Sequence, residues 1–234
     1  MATIVVAHGA WTAGWSWKKM RPLLREQGHE LFTPSYTGLG ERAHLASPAV
    51  DLETHVSDVL GVLRHEDLRD VVLIGHSYGG MVATVVEDRA RERIARVVYL
   101  DAFVPRDGQC LFDLAPPAQR AAFEAAAQAQ GEGWRVPPQA LPPDTPPADA
   151  QWMLPLRVMH PLAAMRQPVR LAGGQPVPRT YIYCRRAGPA DSFRPFAQRA
   201  RSEPGWTCHE IDASHSPHVT APEALADLLQ RILA

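Results

Sequence analysis

Short apolar runs rich in β-branched residues and tyrosine recur along the chain, and between them lie longer stretches whose apolar positions return every third or fourth residue. Apolar runs bounded by turn residues read as strands, at Thr3 to Ala7, Glu30 to Pro34, Val71 to Gly75, Arg96 to Asp101, Thr180 to Cys184 and Thr207 to Ile211. Helical spacing predicts helices over Trp17 to Gln27, Leu52 to Glu66, Gly80 to Glu92, Phe193 to Arg201 and Ala221 to Leu233. The last carries a single stripe of Leu225, Leu228, Leu229, Ile232 and Leu233, with Thr220 as the expected cap and Glu223 as its capping-box partner. Strands alternating with helices imply an α/β fold: a mostly parallel sheet flanked by helices on both faces.

The alternation stops between the fourth and fifth strands. Residues 112–178 hold Pro116-Pro117, Pro137-Pro138, Pro142-Pro143 and Pro146-Pro147, which separate short helical pieces such as Gln119 to Gln130. A segment of this length inside a compact domain is usually a functional lid, so residues 1–111 and 179–234 are expected to form the core and 112–178 an inserted helical cap. Its apolar residues, Trp134, Trp152, Met153, Leu154, Met159 and Met165, either roof a pocket or pack within the cap itself.

The strongest chemical signal is Gly75-His76-Ser77-Tyr78-Gly79, entered from the apolar run Val71 to Ile74 and continued by helix-compatible sequence. This is the setting of a nucleophile elbow, in which a serine sits on a tight strand-to-helix turn flanked by small residues. A serine hydroxyl needs a base to take its proton and a carboxylate to orient that base. His215 fits the base best, because it follows the final strand and precedes the final helix, at the sheet edge where Ser77 emerges. His218 is the next candidate.

For the acid there are two candidates. Asp191 comes late after the strand that ends at Cys184, and its position also suits a cap for the helix near Phe193. Asp101 ends the strand directly after the elbow helix, beside the strand of Ser77, and is the preferred acid. Two backbone amides are expected to form an oxyanion hole, one from Tyr78 and one from the turn after the first strand, where Ala10 is favoured and Trp11 is the alternative.

Composition narrows the class. The 25 acidic and 24 basic residues nearly cancel, giving a net charge of -1, so no global field favours nucleic acid or an anionic membrane and a small-molecule substrate is expected. Lys18 and Lys19 are the only lysines, which argues against Schiff-base chemistry. Cys110, Cys184 and Cys208 are widely spaced and suggest neither disulfides nor a zinc site, so no metal and no cofactor is expected. The first residues lack a basic, long apolar leader, from which a soluble cytoplasmic protein is expected. Composition leaves a homodimer open.

Taken together, these motifs resemble the α/β-hydrolase family, in the branch of plant methylesterases and hydroxynitrile lyases, and in particular bacterial ester and carbamate hydrolases of the carbendazim type. The likeness rests on His8 to Trp11 with Gly14 to Trp17, Tyr36 to His44, Gly75 to Gly80, Tyr99 to Pro105 and Ser214-His215, and covers about residues 3–113 and 179–234. It implies a six-stranded sheet, cofactor-free hydrolysis and a cap that governs substrate choice. The family's serine, histidine and oxyanion amides fall on Ser77, His215, Tyr78 and Ala10. Its usual acid does not carry over, since Ala187 or Gly188 stands there. Some branches place the acid after the strand that Asp101 ends. Hydroxynitrile lyases use a lysine beside the histidine, and that neighbour here is Ser216. The expected function is therefore a serine esterase or carbamate hydrolase. A non-catalytic ligand receptor on the same fold, or a cofactor-free lyase, is the alternative.

Overall fold

The computed structural model describes residues 1–188 and 191–233. Six parallel strands form one sheet: β1 (Thr3–Ala7), β2 (Glu30–Phe32), β3 (Val71–His76), β4 (Ile94–Leu100), β7 (Arg179–Cys184) and β8 (Trp206–Ile211). Their order is β2-β1-β3-β4-β7-β8. The order reverses at β1, which pairs with β2 on one side and β3 on the other. In an open parallel sheet that reversal opens a crevice at the carboxyl ends of the strands.

Successive residues of a strand point to opposite faces, so each central strand serves two cores. Ile4, Val6, Val72, Ile74, Val98 and Leu100 pack with Met20 and Leu24 of α1 (Met20–Glu26) and with Leu225, Leu228, Leu229 and Ile232 of α10 (Pro222–Leu233). Val5, Ala7, Leu73, Val97, Tyr99 and Tyr181 face α2 (Leu52–His65), α3 (Gly79–Arg89) and α8 (Arg194–Ser202). Asp51 and Thr54 make a reciprocal capping box at the start of α2. Because α3 sits between the sheet and α2, its residues from Gly79 to Glu87 are all buried, and Glu87 is neutralised there by Arg179 at 2.9 Å.

The expected helix at Trp17 to Gln27 is shorter than its periodicity implied. Trp17 closes a separate 3-10 helix at Gly14–Trp17, and α1 begins only at Met20. Thr220 belongs to the short helix α9 (Pro217–Thr220), and its hydroxyl donates back to the Ser216 carbonyl at 3.2 Å.

Between β4 and β7 the chain leaves the sheet and forms α4 (Leu111–Leu114), α5 (Pro117–Gln130), α6 (Pro147–Met153) and α7 (Leu162–Arg166). A small antiparallel ribbon joins β5 (Arg135–Val136) to β6 (His160–Pro161). Several contacts tie this segment to the rest of the molecule, three of them near the first turn. The Trp11 indole N–H donates to the Val136 carbonyl at 2.9 Å, Lys19 pairs with Asp149 at 2.6 Å, and the Lys18 ammonium lies 3.6 Å from the Trp152 ring centroid. Among the described residues, no helix is long and apolar enough to cross a membrane.

Candidate active site

Strand β3 delivers Ser77 to the carboxyl edge of the sheet, where the serine adopts a left-handed backbone with φ of 57°. A non-glycine residue is held there only if its surroundings insist on it. Ser77 donates its amide to the Leu100 carbonyl at 3.3 Å, and its own carbonyl accepts from the amides of Gly80 and Phe103, each at 3.1 Å. The glycines let α3 turn back this sharply. A Cβ at Gly79 would lie 1.9 Å from the Ala7 carbonyl oxygen, and one at Gly80 would lie 2.0 Å from that of Phe103.

Asp101, on the turn after β4, also has positive φ, at 42°, and it is only 2% exposed. Its amide donates to the Ile182 carbonyl at 2.8 Å, and the Tyr181 hydroxyl clasps both backbone groups of Ala102. One carboxylate oxygen accepts from the Cys184 amide at 3.2 Å and the other from His215 Nδ1 at 2.7 Å. With Nδ1 donating, His215 Nε2 presents a lone pair to the Ser77 hydroxyl at 2.9 Å. Burial pushes the Asp101 carboxyl above the usual carboxylate range, and the bond from His215 partly offsets this.

Asp191 is placed elsewhere. It accepts from the Tyr183 hydroxyl at 2.6 Å and from the amides of Phe193 and Arg194, both at 3.0 Å, at the entry to α8. Burial opposes its ionisation, but those donors outweigh it and hold the carboxyl below its ordinary value. His218 stacks on Trp17 with ring centroids 4.7 Å apart, and burial lowers its pKa to about 3. Among the described residues no hydrogen bond joins it to Ser77.

Ala10, Trp11 and Tyr78 line the space in front of Ser77, and among the described residues none of their amides has a hydrogen-bond acceptor. Trp11 has φ of 59°, which with its indole bond to Val136 fixes this turn against β5. Below the turn lies a stack of neutral rings. His55 Nε2 donates to the Thr37 carbonyl at 3.2 Å and Nδ1 accepts from the Tyr78 hydroxyl at 2.8 Å. Tyr36 stacks between His55 and His8. Burial lowers His55 to about 3 and His8 to about 4, so both rings are uncharged at neutral pH.

The cavity above Ser77 has a volume of about 580 Å³ and is mainly apolar, with walls from Trp11, Phe103, Leu111, Phe123, Met165 and Phe193. Of the apolar residues singled out between 112 and 178, Met165 reaches it. Trp152 packs on Trp15 instead, and Leu154 is exposed. Two contributors carried no signal in the sequence. Phe193 lies flat on His215, centroids 4.6 Å apart at an interplanar angle of 8°, and His76 Nε2 donates to the His215 carbonyl at 2.7 Å. Among the described residues, no group of His, Cys, Asp and Glu is arranged to hold a metal ion.

Comparison with known proteins bears on the fold and the family. The alpha/beta hydrolase family profile matches residues 4–228. A carbendazim hydrolyzing esterase from Nocardioides sp. (strain SG-4G) is 40% identical over 98% of both chains. Salicylic acid-binding protein 2 of Nicotiana tabacum is 29% identical over 43% of this chain and 39% of its own. Among solved structures, an extracellular alpha/beta-hydrolase from a Paenibacillus species superposes with a TM-score of 0.84 at 28% identity, covering 99% of this chain and 98% of that one. An end-to-end relative named as an esterase and a family match spanning nearly the whole sequence lead to one conclusion: the chain is a carboxylic-ester hydrolase and belongs to the alpha/beta hydrolase family.

Proposed function

We propose that the chain hydrolyses a compact ester or carbamate through an acyl-enzyme on Ser77. The observation that carries this reading is the unbroken line from Asp101 through His215 to Ser77, with contacts of 2.7 and 2.9 Å, opening into an apolar cavity. Ser77 Oγ attacks the carbonyl carbon as its proton passes to His215 Nε2. The oxyanion is received by the amides of Ala10 and Tyr78, which no other group of the described chain uses. His215 then protonates the leaving alcohol or amine, takes a proton from water, and returns it to Ser77 when the acyl group departs. Asp101 holds the ring in the tautomer this sequence of steps needs and stabilises the transient imidazolium.

Residues 112–178 act as the cap in this reading. Gln119, Phe123 and Met165 from that segment face Ser77 across the cavity and would set the shape of the acceptable acyl or leaving group. The ester or carbamate class is supported by the relative named for carbendazim hydrolysis. The lysine beside His215 that hydroxynitrile-lyase chemistry would use has no counterpart, since Ser216 stands there and Lys19 is engaged by Asp149 and the Val219 carbonyl.

Steady-state turnover of 4-nitrophenyl acetate and a 4-nitrophenyl carbamate by wild type and by Ser77→Ala tests the proposal. Loss of roughly 10⁴-fold or more in kcat for both substrates is expected. Ser77→Ala turning over either one at the wild-type rate would sink it.

A further inference from the structure

A second, smaller compartment of about 100 Å³ adjoins the main cavity and shares Ser77, His215 and the run from Gln139 to Pro142 with it. Its remaining lining is unlike that of the main cavity, for it includes Thr12, His76, Arg157 and His218 and no aspartate or glutamate. Arg157 follows the 3-10 turn Leu154–Leu156, and one of its terminal nitrogens donates to the Gln139 carbonyl. Its Nε is buried with no acceptor, and among the described residues no carboxylate lies within salt-bridge distance of the guanidinium. Burial alone lowers the pKa of this arginine, with no acid to restore it. The group nonetheless stays charged, because a guanidinium is not deprotonated in proteins.

Arg157 is half-buried, and a partly desolvated cation without a counter-ion gains from a ligand that supplies negative charge. The histidines do not compete for that role. Burial holds His218 to about 3 and His76 well below its ordinary value, so both rings are neutral, and Arg157 is the one lysine or arginine among the compartment's described lining residues. We infer that this compartment is an anion subsite, in which Arg157 receives a compact carboxylate carried by the substrate while the scissile carbonyl sits on Ser77. The small volume suits a carboxylate on a short aliphatic arm, which leaves the bulk of the substrate to the larger apolar cavity.

This inference rests on the reading of Ser77 as the nucleophile, and its test separates the two. In two pairs of substrates a carboxylate replaces a methyl group: mono-4-nitrophenyl succinate against 4-nitrophenyl butyrate places it on the acyl side, and 3-acetoxypropanoate against propyl acetate on the leaving side. The ratio of kcat/KM within each pair is measured for wild type, Arg157→Gln and Arg157→Lys. Arg157→Gln is expected to lower the ratio at least tenfold in one pair while leaving the neutral ester of that pair within about threefold, and Arg157→Lys to recover part of the loss. If Arg157 only braces Gln139, both members of each pair decline together and the ratios hold, which overturns the subsite.

Binding of methyl hydrogen succinate to the Ser77→Ala protein, followed by calorimetry, needs no turnover. Weakening of that binding at least tenfold by Arg157→Gln in the same background supports the subsite even if Ser77 proves not to be the nucleophile. Equal affinity in both proteins, or no detectable binding to either, counts against it.

Discussion

Replacing Asp101 with asparagine keeps the shape of the side chain and changes what it offers His215. The Cys184 amide, 3.2 Å from one Asp101 oxygen, would select the asparagine carbonyl for itself. The NH₂ group would then occupy the position 2.7 Å from His215 Nδ1 where an acceptor now stands. A donor there makes Nδ1 the acceptor and moves the ring proton to Nε2, against the Ser77 hydroxyl at 2.9 Å, where a base is required. Loss of the tautomer and of the imidazolium's partner is expected to lower kcat about 10⁴-fold, roughly 5 kcal/mol of transition-state stabilisation.

The fold should respond in the opposite direction. Burial raises the Asp101 carboxyl, so its contribution to stability is complete below the ordinary carboxylate range and declines as pH rises through the folded value. Asp101→Asn is therefore expected to match or exceed the wild-type melting temperature at pH 8, with the difference shrinking on acidification. Turnover of 4-nitrophenyl acetate, circular dichroism and thermal melts on Asp101→Asn and Asp191→Asn form the assay. Asp191→Asn should keep kcat within about threefold and lose about 1 kcal/mol of stability, because its acceptor role at the α8 entry is structural. A folded Asp101→Asn with kcat within tenfold of wild type, or a larger kinetic loss in Asp191→Asn, would refute this reasoning.

Other perturbations test the supporting structure. His8, His55 and His218 are held neutral by burial at about 4, 3 and 3, against 6.5 when free, so the unfolded chain takes up protons that the folded chain refuses. Their stabilising share is complete above pH 6.5 and is lost as pH falls; at pH 5 it is down by roughly 2 kcal/mol for each ring. Urea midpoints should decline steadily from pH 6.5 to 4.5, and flat midpoints would contradict these burials. Gly79→Ala drives a methyl group to 1.9 Å from the Ala7 carbonyl oxygen and is expected to yield insoluble or unfolded protein, whereas a wild-type melting temperature would show that the elbow is laxer than described. Asp149→Asn frees Lys19 and should lower the melting temperature by about 2–4 °C and speed proteolytic cleavage between 112 and 178; unchanged proteolysis would remove the pair as a tether.

The four central strands were legible because they are apolar runs of the length and composition that a sheet covered on both faces requires, whereas the edge strands β2 and β8 are more polar and more exposed. Ser77 and His215 were legible from position, since a parallel sheet sends all its strand ends to one edge, Ser77 follows β3 directly and His215 lies on the loop just after β8. Asp101 could be preferred over Asp191 for the same reason: β4 lies beside β3 and carries its terminal acid to the elbow. The rest depended on contacts that no local pattern encodes. Phe193 reads as the start of a helix, and only the folding of α8 against β7 lays its ring on His215. Arg157 follows a proline-broken stretch without periodicity, so its approach to Ser77 follows from how residues 112–178 settle on the sheet. The early helix was overextended because Trp17 and Met20 share an apolar face across a break in the backbone, which spacing alone does not register.

An acyl-enzyme on Ser77 has a consequence that can be weighed. Intact-mass spectrometry after exposure to a fluorophosphonate, with peptide mapping of the adduct, should find one phosphonyl group per chain, located on Ser77. The adduct should be absent from Ser77→Ala and should form at least a hundredfold more slowly in Asp101→Asn. A stoichiometric adduct on any other residue, or an unmodified chain that still turns over 4-nitrophenyl acetate, would contradict the assignment of Ser77 as the nucleophile.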